Sequence, residues 1–109
     1  MEIVVKDMEI FKLEKLLKEA KVEYELENRT MIPSRPFFQI GCPQIDSINH
    51  DRYISIIQGP GTYGYEDNRL EIMGLLTEEE EKYDSVVGNL TAEEVFARIK
   101  KYLGESDGK

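Results

Sequence analysis

The chain has 109 residues, 40% apolar and 33% charged, with a net charge of −8 and one cysteine. These figures describe one domain with a single core. They exclude an intrachain disulfide, a cysteine-based zinc site and a disordered composition. The charge is uneven: between Glu66 and Glu94 ten acids face only Arg69 and Lys82, so that stretch carries the whole −8 and the rest balances to zero. Such a face repels a phosphate backbone, so direct nucleic-acid binding is not expected, and it attracts a basic partner surface. No apolar run approaches the roughly 18 residues of a membrane span. The opening Met-Glu-Ile-Val-Val-Lys-Asp lacks the basic-then-apolar form of a signal peptide. Together with the lone thiol, this places the expected protein in a cytosol, away from membranes.

Asp7 is the expected N-cap of a first helix over residues 8–20, with Ile10, Leu13, Leu17 and Ala20 at helical spacing and Phe11 and Leu16 widening the apolar face. Val22, Tyr24 and Leu26 alternate with three glutamates, the pattern of a half-buried strand. A proline-punctuated loop follows over 28–36. Residues 37–42 then predict a second strand with Phe38, Ile40 and Cys42 on one face and Pro43 ending it. Residues 44–52 are polar and irregular. Tyr53 to Gln58 is the strongest strand pattern, rich in β-branched residues.

The stretch Gln58 to Leu76 organises the rest. Gly59-Pro60-Gly61 must break the strand before it, because Pro60 has no N–H to pair. Leu70 to Leu76 returns as a strand antiparallel to the third, which makes the loop a hairpin tip; a helical turn at Leu70 to Met73 is the competing reading. Thr77 with Glu80 matches a capping box, but the run Glu78, Glu79, Glu80 and Glu81 leads to no apolar stripe, so one or two turns are expected. Tyr83, Val86 and Val87 add a short edge strand. Thr91 with Glu94 is a second capping box, followed by Val95, Phe96, Ile99, Tyr102 and Leu103 at helical spacing, with Gly104 at the C′ position. The sum is a single α+β domain over 1–104, a small antiparallel sheet of three to four strands with an N-terminal and a C-terminal helix packed on it, and a flexible tail over 105–109.

The runs Ile-Ser-Ile-Ile-Gln-Gly-Pro-Gly-Thr-Tyr-Gly, Leu-Glu-Ile-Met-Gly-Leu-Leu and Val-Val-Gly-Asn-Leu-Thr-Ala-Glu-Glu-Val-Phe-Ala-Arg-Ile-Lys-Lys resemble those of a group of small uncharacterised proteins encoded by phages and prophages of Gram-positive bacteria. The first helix is similar too. The resemblance implies a phage accessory role, a class rich in proteins that disarm or redirect host machinery. It assigns no catalytic or binding residue.

For the loop two readings stand. Gly59, Gly61, Tyr63, Gly64, Tyr65 and Arg69 form a ligand- or partner-contacting surface, or they form a hairpin turn whose tyrosines cover the end of the sheet. The loop lacks the ending of a phosphate-binding P-loop. His50, beside Asp51 and Arg52, is the one histidine, and Ser47 and Ser55 are near it in sequence only, so catalysis is not expected from it. Cys42 sits in a strand pattern and reads as buried packing. Four consecutive glutamates on a helical turn point in different directions, so they make a solvated helix start and no metal cage.

Three functions follow. The first is a non-enzymatic phage or prophage protein, possessing no cofactor, that binds and inhibits a host factor such as a defence component. Its acidic face, Glu66, Asp67 and Glu78 to Glu81, meets a basic surface on that factor, with Tyr63, Tyr65 and Arg69 as anchors. The second is a binder of a nucleotide-like small molecule: loop N–H groups hold phosphate, Tyr63 or Tyr65 stacks on the base, and Arg35, Arg52 or Arg69 neutralises charge, often in a homo-oligomer. An enzyme using His50, Asp51 or the acids ranks third.

Overall fold

The computed structural model describes residues 5–46, 53–76, 78–83 and 86–106. A 3-10 turn, Val5–Asp7, leads into helix α1 (Glu9–Glu19). Strands β1 (Glu25–Asn28), β2 (Phe38–Asp46), β3 (Tyr53–Gln58), β4 (Leu70–Met73) and β5 (Val87–Leu90) form one antiparallel sheet whose spatial order is the chain order. The single turn α2 (Glu78–Glu81) stands between β4 and β5, and α3 (Ala92–Ser106) closes the chain. The two long helices lie against each other, with α1 also on β2 and β3 and α3 on β4. This is the α+β class that the sequence predicts, with five strands in place of three to four. Among the described residues no helix is long and apolar enough to cross a membrane.

Periodicity decides which residues meet. Ile10, Leu13 and Leu17 of α1 are wholly buried, as are Val95 and Ile99 of α3. Beneath them Ile40, Ile56 and Ile72 stand opposite one another across β2, β3 and β4, all with no exposed surface. Branched side chains pack well on a pleated surface, and each such burial stabilises by about 1.5–3 kcal/mol. Along residues 21–27 the alternation of exposed and half-buried positions is the one read from the sequence, although only Glu25–Asn28 make ladder bonds. The second capping box is also present: Thr91 N donates to Glu94 Oε1 at 2.8 Å, and Glu94 N to Thr91 Oγ1 at 3.1 Å.

Several boundaries differ from expectation, each for a local reason. Strand β2 does not end at Pro43. Cys42 pairs with Ile54 and Asp46 with Tyr53, so residues 43–45 bulge out of the ladder and Pro43 needs no donor there. Strand β4 stops at Met73 because Gly74 and Leu75 both take positive φ (111° and 56°) and turn the chain out of the sheet. The edge strand is Val87–Leu90. Tyr83 is 83% exposed and outside it, while Asn89 (φ 62°) supplies a bulge that asparagine tolerates. Gly104 is not a C′ residue: α3 continues through Ser106, and its open surroundings leave only the helix-propensity cost of roughly 1 kcal/mol. The capping partner expected at Thr77 lies outside the described residues.

Asp7 is not the N-cap of α1. That position is Met8, which has no side-chain cap, and the first N–H groups of the helix are satisfied from far along the chain. That long-range cap leads to the loop.

Candidate functional site

Gln58, the last residue of β3, is fully buried, and its Oε1 accepts from Ile10 N at 2.9 Å. Asn68, held in the left-handed region at φ 56°, accepts at Oδ1 from Glu9 N (2.9 Å) and from Gln58 Nε2 (2.6 Å). Its Nδ2 donates to Asp7 O at 2.9 Å. Glu9, itself 8% exposed, accepts from Ala92 N at 2.6 Å. The hairpin loop therefore caps α1, and the first residue of α1 caps α3. Helix N-termini carry donors that must find acceptors when buried, and here two side chains of the loop and one of α1 supply them.

The same loop is closed on itself. The N–H groups of Gly59, Thr62, Tyr63 and Tyr65 donate to Thr62 Oγ1, Gly59 O, Glu71 Oε1 and Thr62 O, while those of Asp67, Asn68 and Arg69 donate to Gly64 O or Tyr65 O. Arg69 turns its Nη1 onto the carbonyls of Asp67 and Asn68. Gly64 (φ 87°) presses against β5, where an added Cβ would stand 2.7 Å from Asn89 Cα, and Gly59 packs on the Phe37 side chain. Tyr65 is half-buried against the core; Tyr63 stays 56% exposed. Most of the loop residues singled out in the sequence thus hold the fold together.

The acidic residues are divided. Glu66 and Asp67 are exposed in a 3-10 turn, Tyr65–Asp67, at the loop end of the sheet. Strand β4 then carries the chain to the opposite end, where α2 lies. Glu78 and Glu79 are exposed there, but Glu80 forms a paired contact with Arg98 of α3, at 2.9 Å to Nη1 and 2.7 Å to Nη2. Arg98 Nη1 also donates to Leu75 O, fastening the positive-φ turn. The Glu81 side chain lies outside the described part, as do His50, Asp51, Arg52 and Ser47. Cys42 is fully buried, and desolvation pushes its thiol up to about 11, so it is no thiolate at neutral pH. Ser55 accepts from Gln39 Nε2 at 2.7 Å. Among the described residues no group of three His, Cys, Asp or Glu is placed to hold a metal ion.

No protein-family model, curated protein or solved structure matches the chain.

A concave site that the sequence reading missed lies at the loop end. Asn28, Phe38 and Gln58 stand side by side across β1, β2 and β3, so the β1–β2 arm and the start of the loop share that end. The arm is well fixed. Arg29 N donates to Phe37 O (2.8 Å), Thr30 Oγ1 accepts from Phe37 N (2.9 Å), and a tight turn at Pro33 is closed by Arg35 N on Ile32 O (2.8 Å). Between arm and loop is an open cavity of about 520 Å³ lined by Met31, Ile32, Phe37, Pro60 and Gly61 together with Arg29 and Arg35. Met31 is 93% exposed and Ile32 54%. Of the loop residues singled out earlier only Gly61 lines this cavity, joined by Arg35. The signal was present in Arg29-Thr-Met-Ile-Pro-Ser-Arg35, where two apolar residues sit inside a turn with no alternating or helical pattern to bury them.

Proposed function

We propose that the chain is a small non-catalytic binding protein that docks a partner protein on the arm end of its sheet. The resemblance to phage and prophage proteins makes a host factor in a bacterial cytosol the partner, and inhibition by occupancy the mode of action. One observation carries the reading: Met31 and Ile32 are held exposed on an ordered arm, beside an apolar cavity. Contiguous exposed apolar surface, unlike apolar residues scattered singly, marks interaction sites, and binding residues are often carried on loops fixed to a rigid scaffold.

The other readings draw less support. A nucleotide held by the loop would compete for the N–H groups of Gly59, Thr62 and Tyr63, which already donate within the fold, and for an Arg69 that already closes on backbone carbonyls. A contact through one acidic face would need carboxylates that lie at both ends of β4, with Glu80 engaged by Arg98. The test is co-purification from host cells with two paired variants. Met31→Ser with Ile32→Ser is expected to keep its melting temperature, since such surface changes are usually within about 0.5 kcal/mol, and to lose the partner. Glu78→Lys with Glu79→Lys is expected to keep both. A partner retained by the first variant and lost by the second overturns the reading.

A further inference from the structure

The docking reading leaves the chemistry of the docked segment open, and the lining of the cavity narrows it. We infer that the segment is an acidic–apolar stretch of the partner, with an apolar side chain in the cavity and carboxylates beside it meeting Arg29 and Arg35. This inference rests on the docking reading above.

Charge is the first argument. The charged residues that line the cavity are Arg29 and Arg35, both basic on a chain of −8, with Glu27 alongside Arg29. The two arginines are also available. Among the described residues the Arg35 side chain has no hydrogen bond or ion pair, and Arg29 makes one 3.2 Å contact with Glu27 in which both side chains are about half exposed. Exposed pairs of that kind are weak and exchange readily. A guanidinium presents a planar fork that matches a carboxylate in two-point contact.

Shape is the second argument. The cavity has the size of a small-ligand site, yet both arginines, Met31 and Ile32 are exposed, so it cannot enclose a ligand as such sites do. It fits one or two side chains of a segment that remains in contact with water along its length. Glu27, in contact with Arg29, opposes such a segment at short range and leaves Arg35 the freer of the two cations, while acids farther off are screened beyond about 8 Å at roughly 0.15 M salt.

The experiment is selection of a displayed library of random short peptides on the purified chain at physiological salt. Enriched peptides are then titrated against wild type, Arg29→Glu with Arg35→Glu, and Met31→Ser with Ile32→Ser, with melting temperatures confirming that each variant folds. Enriched peptides are expected to carry Asp or Glu flanking Leu, Ile, Phe or Met, and to bind both variants at least about tenfold more weakly. Peptides that depend on Met31 and Ile32 but carry neutral or basic flanks overturn this inference and leave the docking reading standing. Peptides indifferent to both variants, or no enrichment at all, overturn both.

Discussion

Asn68→Ala is expected to cost about 3 kcal/mol, a fall of roughly 10–15 °C in melting temperature for a domain of this size. Three contacts are lost at once: Glu9 N and Gln58 Nε2 lose their acceptor, and Asp7 O loses its donor. Each buried group left without a partner costs roughly 1–3 kcal/mol, although water can reach the more exposed side of this cluster and soften the total. Alanine also fits poorly at φ 56°. Asn68→Gly separates the two causes, because it relieves the backbone and still lacks the side chain. Thermal unfolding followed by circular dichroism checks both. If Asn68→Gly matched wild type, the Asn68 side-chain contacts would contribute little, and the cap of α1 would rest on Gln58 alone.

Gly64→Ala and Gly61→Ala are expected to differ sharply, although the two glycines share nearly the same φ (87° and 88°). At Gly61 nothing lies within 4 Å of the added Cβ, so the change carries only the left-handed backbone penalty of about 1–2 kcal/mol, partly offset by the stiffer unfolded chain. At Gly64 the same penalty is joined by contacts of 2.7 Å and 2.8 Å with the Asn89 backbone and 2.9 Å with Arg69 Cβ. Backbone atoms of a paired strand cannot yield cheaply, so we expect a cost of roughly 3 kcal/mol or more and loosening of β5. Urea titration of the two variants side by side gives the comparison. Equal costs would mean that close packing of the loop on β5 does not matter.

What the sequence made legible follows from what is local. The faces of α1 and α3, the inward residues of β2 and β3, and the Thr91–Glu94 cap depend on spacing within a few residues, and they were readable. The cap of α1 was not, because Asn68 and Gln58 reach it from 59 and 48 residues away, and no local pattern marks an asparagine that serves a distant helix. The division of the acids was equally hidden: charge along the chain ran continuously from Glu66 to Glu94, while β4 sends its two halves to opposite ends. Of the hairpin-loop glycines, Gly59 answers to close packing on Phe37 and Gly64 to close packing on Asn89, while Gly61 stands in open space. The arm site carried a fainter signal. Met31 and Ile32 fall within the proline-punctuated loop 28–36, and the fold leaves them exposed on the cavity that Phe37 and Pro60 also line.

The most direct test of the docking account is photo-crosslinking in the host cell, with a photoreactive amino acid placed singly at positions 31, 61 and 79. Met31 and Glu79 are exposed, and nothing lies within 4 Å of a Cβ at Gly61, so a side chain there meets only the backbone penalty of its φ of 88°. The account predicts the same discrete protein adduct from positions 31 and 61 and none from 79. An adduct from 79 with none from 31 or 61 would contradict it and return the partner surface to the acidic side.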